Sequence, residues 1–201
     1  MNGDDTSRLD FPDGATLLDP DELDGLRYKH ITTRGELDQI EQAAITEGLN
    51  WLSKQKKIDV LSQAFVLGLH KRLFGSVWKW AGTYRRTEKS ISVDPIQIAI
   101  QVQQLLEDAN YWIDHGTYPP KELAARFHHK LVSIHPFPNG NGRHARIMAD
   151  ALLTKRLDEP AIDWAGGYSL EAMNERRNQY IAALRAADKH DMSALLAFVG
   201  A

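Results

Sequence analysis

Cysteine is absent from the chain. Disulfides and thiol chemistry are therefore excluded, which fits a cytoplasmic protein. No apolar run approaches the roughly 20 residues of a membrane span. Neither sign of charge dominates: 24 Lys and Arg face 27 Asp and Glu, for a formal net charge of −3. That balance gives no general reason to expect nucleic acid or an anionic membrane as a partner. The N-terminal stretch is acidic and lacks the basic start and apolar core of a secretory signal. Two common catalytic signatures are also missing, the phosphate-binding Gly-x-x-x-x-Gly-Lys-Ser/Thr loop and the zinc-binding His-Glu-x-x-His pair. What remains is the profile of a soluble domain with a real core: 201 residues, 43% apolar and 25% charged.

Residues 1–35 are polar and interrupted by glycine and proline, and they read as a segment wrapping the surface, with Leu17 and Leu18 as a short anchor. Residues 36–201 read as one helical domain. Thr32 or Thr33 can cap a helix over 36–52, whose stripe is Leu37, Ile40, Ala44, Gly48 and Trp51/Leu52. A second helix is expected over 59–73 and a strongly amphipathic one over 95–115. Two more follow over 124–134 and 143–154, and C-terminal helices occupy 168–199. Residues 74–94 break the pattern with aromatics, glycines and β-branched residues, and Ile91-Ser92-Val93 alternates like a short strand. Trp78 and Trp80 are either core or an adhesive surface; large aromatics more often belong to interiors.

Between the helices over 124–134 and 143–154 lies His135-Pro-Phe-Pro-Asn-Gly-Asn-Gly-Arg-His-Ala-Arg146. Pro136 and Pro138 cannot continue the first helix, and Gly140 and Gly142 permit backbone geometry closed to other residues. The free N–H groups at the start of the second helix, with the positive end of its dipole, make a seat for an anion. Arg143 and Arg146 are three apart and reach the same side of that helix. A polyphosphate held by backbone and two guanidiniums, beside an imidazole able to take a proton, is the chemistry implied. Taken alone, His135 would read as a cation favoured at a helix C-terminus. His128 shares the apolar stripe and reads as structural, whereas His129 and His144 read as polar-face residues.

HPFPNGNGRHAR resembles the Fic/Doc motif, His-x-Phe-x-(Asp/Glu)-Gly-Asn-Gly-Arg-x-x-Arg, at every specified position but one. The resemblance extends over roughly 59–157. It implies an all-α, Fic-type helical bundle with a small β-hairpin flap beside the active site. It also implies a protein adenylyltransferase moving AMP from ATP to a Ser, Thr or Tyr hydroxyl of a target protein. His135 would be the general base and Phe137 the buried anchor of the loop. Gly140, Asn141 and Gly142 would form the anion hole, and Arg143 and Arg146 would clamp the β/γ end of ATP. Asn139 stands where the family usually carries a magnesium-binding carboxylate; an amide is an uncharged, weaker ligand for Mg2+.

FGSVWKWAGTYR resembles the stretch leading into the family's flap, which would here be Arg85, Arg86, Thr87, Glu88, Lys89, Ser90, Ile91 and Ser92, docking a target segment by strand addition. Ala43-Ala-Ile-Thr-Glu47-Gly48 resembles the family's inhibitory pattern Ser/Thr-x-x-x-Glu-Gly/Asn, with Ala at the first position. Glu47 would then restrain the motif's second arginine. Glu41, nearer the centre of the apolar stripe, is the runner-up. The partner implied is the target protein; whether the chain is a monomer or a homo-oligomer is left open. Alternatives are transfer of another phosphate-linked group, and a nucleotide-binding regulatory module with weak or no catalysis. The family's phosphotransferring members carry Lys where Gly142 stands here, which argues against phosphorylation.

Overall fold

The structure, a computed structural model, describes residues 18–89, 93–165 and 175–201. Its elements are α1 (Pro20–Leu23), α2 (Arg34–Ser53), α3 (Gln63–Phe74), α4 (Ile98–Asp114), α5 (Pro120–Ile134), α6 (Asn141–Ala151), α7 (Glu175–Ala187) and α8 (Ser193–Val199). A 3-10 turn, Pro95–Gln97, leads into α4, and α6 runs on as a π-helical turn, Leu152–Leu157. Among the described residues no helix is long and apolar enough to cross a membrane.

Local chemistry sets the helix ends. Thr33 accepts from Glu36 N at the start of α2, and the Glu36 carboxylate accepts from Thr33 N in return. The second helix begins at Gln63, later than its apolar pattern suggests. Asp59 accepts from Leu61 N and Ser62 donates to Asp59 O, so a side-chain turn competes successfully with helix there. Ser62 then caps α3 by accepting from Phe65 N.

Helix α5 is the axis of the bundle. It packs on α4, α6 and α8, and Leu123, Ala124, Ala125, Phe127, Leu131 and Ile134 are all buried. Full burial of each large apolar side chain contributes about 1.5–3 kcal/mol. Helices α2 and α3 pair on one side, α7 and α8 on the other. The last pair shares a smaller core with Trp164, to which α8 contributes Leu195.

The expected β-hairpin flap is absent: the described residues contain no strand, only an isolated antiparallel bridge between Leu26 and Trp78. The reason is a competition for carbonyls. Arg85 takes the carbonyls of Thr87 and Val93 with its guanidinium, and its own N–H goes to Pro136 O at 2.9 Å. Groups that a hairpin ladder would need are thereby spent elsewhere. Ser90, Ile91 and Ser92 lie outside the described residues, as do Leu17, Leu170 and Met173.

The segment before α2 is more regular than its composition suggests. Residues 18–27 form a strap over 75–89, with Arg27 N donating to Val77 O and Lys79 N to Gly25 O, both at 2.9 Å. A methyl group on Gly25 would lie 2.3 Å from the Trp80 ring, so only glycine allows this approach. Trp78 is buried, and its ring stacks on that of Trp80 with centroids 4.9 Å apart. Core is the outcome for the pair.

Candidate active site

Helix α5 stops at His135, whose φ of 53° and ψ of 60° are left-handed. That conformation is uncommon for a residue with a side chain. Here Arg85 secures it. Its Nε donates to His135 O at 2.6 Å and its Nη2 to Ile134 O at 3.4 Å. The imidazole of His135 is half-buried. Burial first, then the charges of Arg85 and Lys89, push its pKa down to about 4. At neutral pH it is an unprotonated base.

The loop after it is built from the inside. Phe137 is fully buried and stacks on His70 with centroids 3.7 Å apart. Both ends of the Phe137 residue are held by one side chain: Asn141 Oδ1 accepts from its N–H at 2.9 Å, and Asn141 Nδ2 donates to its carbonyl at 2.7 Å. His70 braces the loop from α3, with one ring nitrogen accepting from Gly82 N and the other donating to Asn139 O. Gly140 caps α6 with a φ of 77°, and a methyl group on it would lie 2.7 Å from Phe74. Its N–H is capped by Asn139 Oδ1. The first backbone donor inside α6 is His144, to Gly140 O. Asn141, Gly142 and Arg143 thus begin the helix with N–H groups that have no intrahelical acceptor. The Asn141 side chain is spent on the loop, so only its backbone N–H is left to serve an anion.

The two motif arginines have different neighbours. Arg143 Nη1 pairs with Glu41 Oε2 at 2.7 Å, and its guanidinium lies 4.9 Å from the Phe74 ring centre. Glu41 is buried on α2, and its other oxygen accepts from Trp78 Nε1 at 2.6 Å. Glu47 is exposed. The carboxylate that α2 brings to the motif is therefore Glu41, and it meets the first arginine. Arg146 lies over the Tyr180 ring, 5.4 Å from its centre. A methyl group on Gly142 would be 3.7 Å from Arg146 Nη1 and 3.9 Å from the Tyr180 hydroxyl. Arg146 therefore reaches back beside the first turn of α6.

Three further histidines are buried and held neutral by burial: His70, His128 and His144. His128 bonds the Tyr180 hydroxyl at 2.9 Å. His144 is not on a polar face: its Nε2 donates to Val66 O, because α3 packs against that side of α6. His129 is half-buried beside Asp188. Of the expected flap residues, Arg86 and Glu88 are exposed. Thr87 donates to Glu22, and Lys89 pairs with Asp19 and Glu22 of the strap. They serve internal contacts.

Sequence reasoning missed Arg85 as a clamp, His70 as a brace and Tyr180 as a neighbour of the first turn of α6. His70 sits on the apolar stripe of α3, and Tyr180 is far along the chain, so neither carried a local signal.

Magnesium would need hard oxygen donors, usually carboxylate. Asn139 offers one neutral amide oxygen, and that oxygen already accepts from Gly140 N at 2.5 Å. No group of three or more His, Asp or Glu able to hold a metal ion occurs among the described residues. The residues present do not fit a magnesium ion held by the protein.

Known proteins are similar in sequence and in architecture. The model of the Fic/DOC family matches residues 60–153. A relative from Nematostella vectensis, "Protein adenylyltransferase Fic", is 27% identical over 169 residues, covering 81% of this chain and 38% of its own length. The chain therefore spans well under half of such relatives. The solved structure of Fic-1 (residues 134–508) from Caenorhabditis elegans superposes with a TM-score of 0.60 at 25% identity, over 79% of this chain and 46% of that one. BepC from Bartonella tribocorum, solved with bound AMPPNP, gives a TM-score of 0.66 at 18% identity, over 94% and 93% of the two chains, and shows the fold alone. With the twelve-residue motif on its loop and the bundle around it, the chain belongs to the Fic/DOC family.

Proposed function

We propose that the protein transfers AMP from ATP to a Ser, Thr or Tyr hydroxyl of a target protein. The observation that carries this reading is an imidazole held unprotonated at the end of α5, one short loop from the anion seat that opens α6. The relatives' name, protein adenylyltransferase, supports the same reaction. As the hydroxyl oxygen bonds to the α-phosphorus, its proton passes to His135. The bond from the α-phosphorus to the bridging oxygen breaks, and pyrophosphate leaves. Backbone N–H groups of the first turn of α6 and the guanidiniums of Arg143 and Arg146 receive the charge that builds on phosphate oxygens. Any metal arriving with the nucleotide is left to the phosphates, and no step here depends on it.

Glu41 sets a condition on this reading. While it holds Arg143, that arginine is drawn toward α2, so Glu41 restrains the phosphate clamp. The helix over 36–52 is expected to inhibit through the second arginine, Arg146; in this reading the runner-up carboxylate, Glu41, acts instead on the first, Arg143.

A second reading, a nucleotide-binding module with little turnover, is favoured by Asn139 in place of a carboxylate. ATP labelled at the α-phosphate, incubated with cell lysate and the full chain, separates the two. Label on protein that disappears with His135→Ala, while nucleotide affinity changes only a few-fold, supports transfer; proton transfer by such a base is typically worth ~10²–10⁴-fold. Binding without label supports the module. Label from the γ-phosphate, or from UTP, redirects the reading to another transferred group.

A further inference from the structure

The described part of the chain contains a buried arginine wired to the catalytic loop and to no carboxylate. Arg85 is 2% exposed. Its guanidinium donates to the carbonyls of Ile134 and His135 at the end of α5, and to those of Thr87 and Val93 on either side of residues 88–92. Its backbone N–H takes Pro136 O as well. Three consecutive peptide carbonyls, those of residues 134, 135 and 136, thus converge on one residue.

We propose that Arg85 is a positioning residue for the transfer reaction, fixing His135 in its left-handed conformation and setting a permanent positive charge behind its imidazole. The geometry explains why arginine is used. Only a planar fork with several donors can serve four carbonyls arriving from two directions, and lysine offers a single point. Burying a cation among neutral acceptors is costly unless its donors are satisfied. Placing that charge on the His135 carbonyl has a chemical return, because a neighbouring cation disfavours imidazolium and preserves the base. Other charges facing the pair are Lys89, which acts on His135 in the same direction, and Glu22, Glu88 and Asp94, which support the charge on Arg85. Lys89 is itself tied to Asp19 and Glu22. Arg85 also joins the end of α5 to the carbonyls of Thr87 and Val93.

This role rests on the transfer reading, but its test does not. Histidine titration by NMR on the full chain, with resonances assigned through His135→Gln, follows His135 directly. The wild-type imidazole should titrate well below its ordinary value of 6.5; a midpoint near that value overturns the proposal without any variant. In Arg85→Gln the midpoint should rise, whereas Arg85→Lys, which keeps the charge, should leave it nearly in place. Equal midpoints in the wild type and Arg85→Gln, both folded by circular dichroism, overturn it too. In the transfer assay, Arg85→Lys should lower kcat on the order of tenfold or more through misplacement alone, with the KM for ATP little changed. Arg85→Gln should in addition move the acid limb of kcat/KM to higher pH. If the wild type transfers nothing, the function reading fails while the titration still decides the place of Arg85.

Discussion

At the scale of single residues, Glu41 and Glu47 separate cleanly. Glu41 is buried, accepts from Trp78 and pairs with Arg143, whereas Glu47 faces solvent. An amide can still accept from the Trp78 indole but carries no charge to hold a guanidinium. Glu41→Gln should therefore release Arg143 toward phosphate and raise transfer severalfold. Glu47→Gly should leave it unchanged. Initial rates with α-labelled ATP on both variants check this; a gain from Glu47→Gly alone would return the restraint to the exposed residue. Loss of transfer in Glu41→Gln would instead make Glu41 a support that orients the arginine.

At the scale of elements, the loop between α5 and α6 depends on one amide. Asn141 Oδ1 and Nδ2 bond both the N–H and the carbonyl of Phe137, and the whole arrangement is buried. Asn141→Ala leaves a buried donor and a buried acceptor without partners, at a cost of about 1–3 kcal/mol for each group left unpaired. Urea unfolding should show a lower midpoint with an unchanged m-value. Nucleotide affinity should fall too, because the N–H groups of α6 are aimed by the same loop. Asn141→Asp restores the acceptor but not the donor, so it should recover part of the stability.

At the scale of the whole molecule, protonation is distributed unevenly between the folded and unfolded chain. His70, His128, His135 and His144 all have folded pKa values below the ordinary 6.5, chiefly because they are buried; His135 reaches about 4 and His144 about 3. Below about 6.5 the unfolded chain takes up these protons and the native chain does not, so stability falls as pH drops. The loss continues down through the folded values. Asp150 acts in the opposite sense. Burial raises its carboxyl to about 6, so between its ordinary value of 3.8 and that point the folded state holds the extra proton. Four histidines outweigh one aspartate, and the urea midpoint should fall between pH 7.5 and pH 5. A midpoint that rises on acidification would mean that the buried imidazoles are solvated.

Periodicity and local chemistry were enough to read the long helices, though not α1, together with the proline- and glycine-broken loop and the placing of His135 and the α6 N-terminus side by side. Those features depend on side-chain spacing and backbone permissions within a few residues. The helix starts at Arg34 and Gln63, a few residues from where the apolar pattern put them, already show the limit: caps and competing side-chain turns decide the ends. The hairpin failed for a different reason. Residues 85–93 have strand-like composition, but the carbonyls of Thr87 and Val93 go to the Arg85 guanidinium, whose other partners lie about fifty positions later. Likewise Glu41 and Arg143 are about a hundred positions apart, and only the packing of α2 and α6 against α3 places that carboxylate, and not Glu47, on the motif. The sequence by itself determined which groups could do the chemistry, because reactivity belongs to residue types and their local geometry. Tertiary structure alone decided which charge faces which, because a buried ion pair or a clamped carbonyl is a contact between distant segments that no local pattern records.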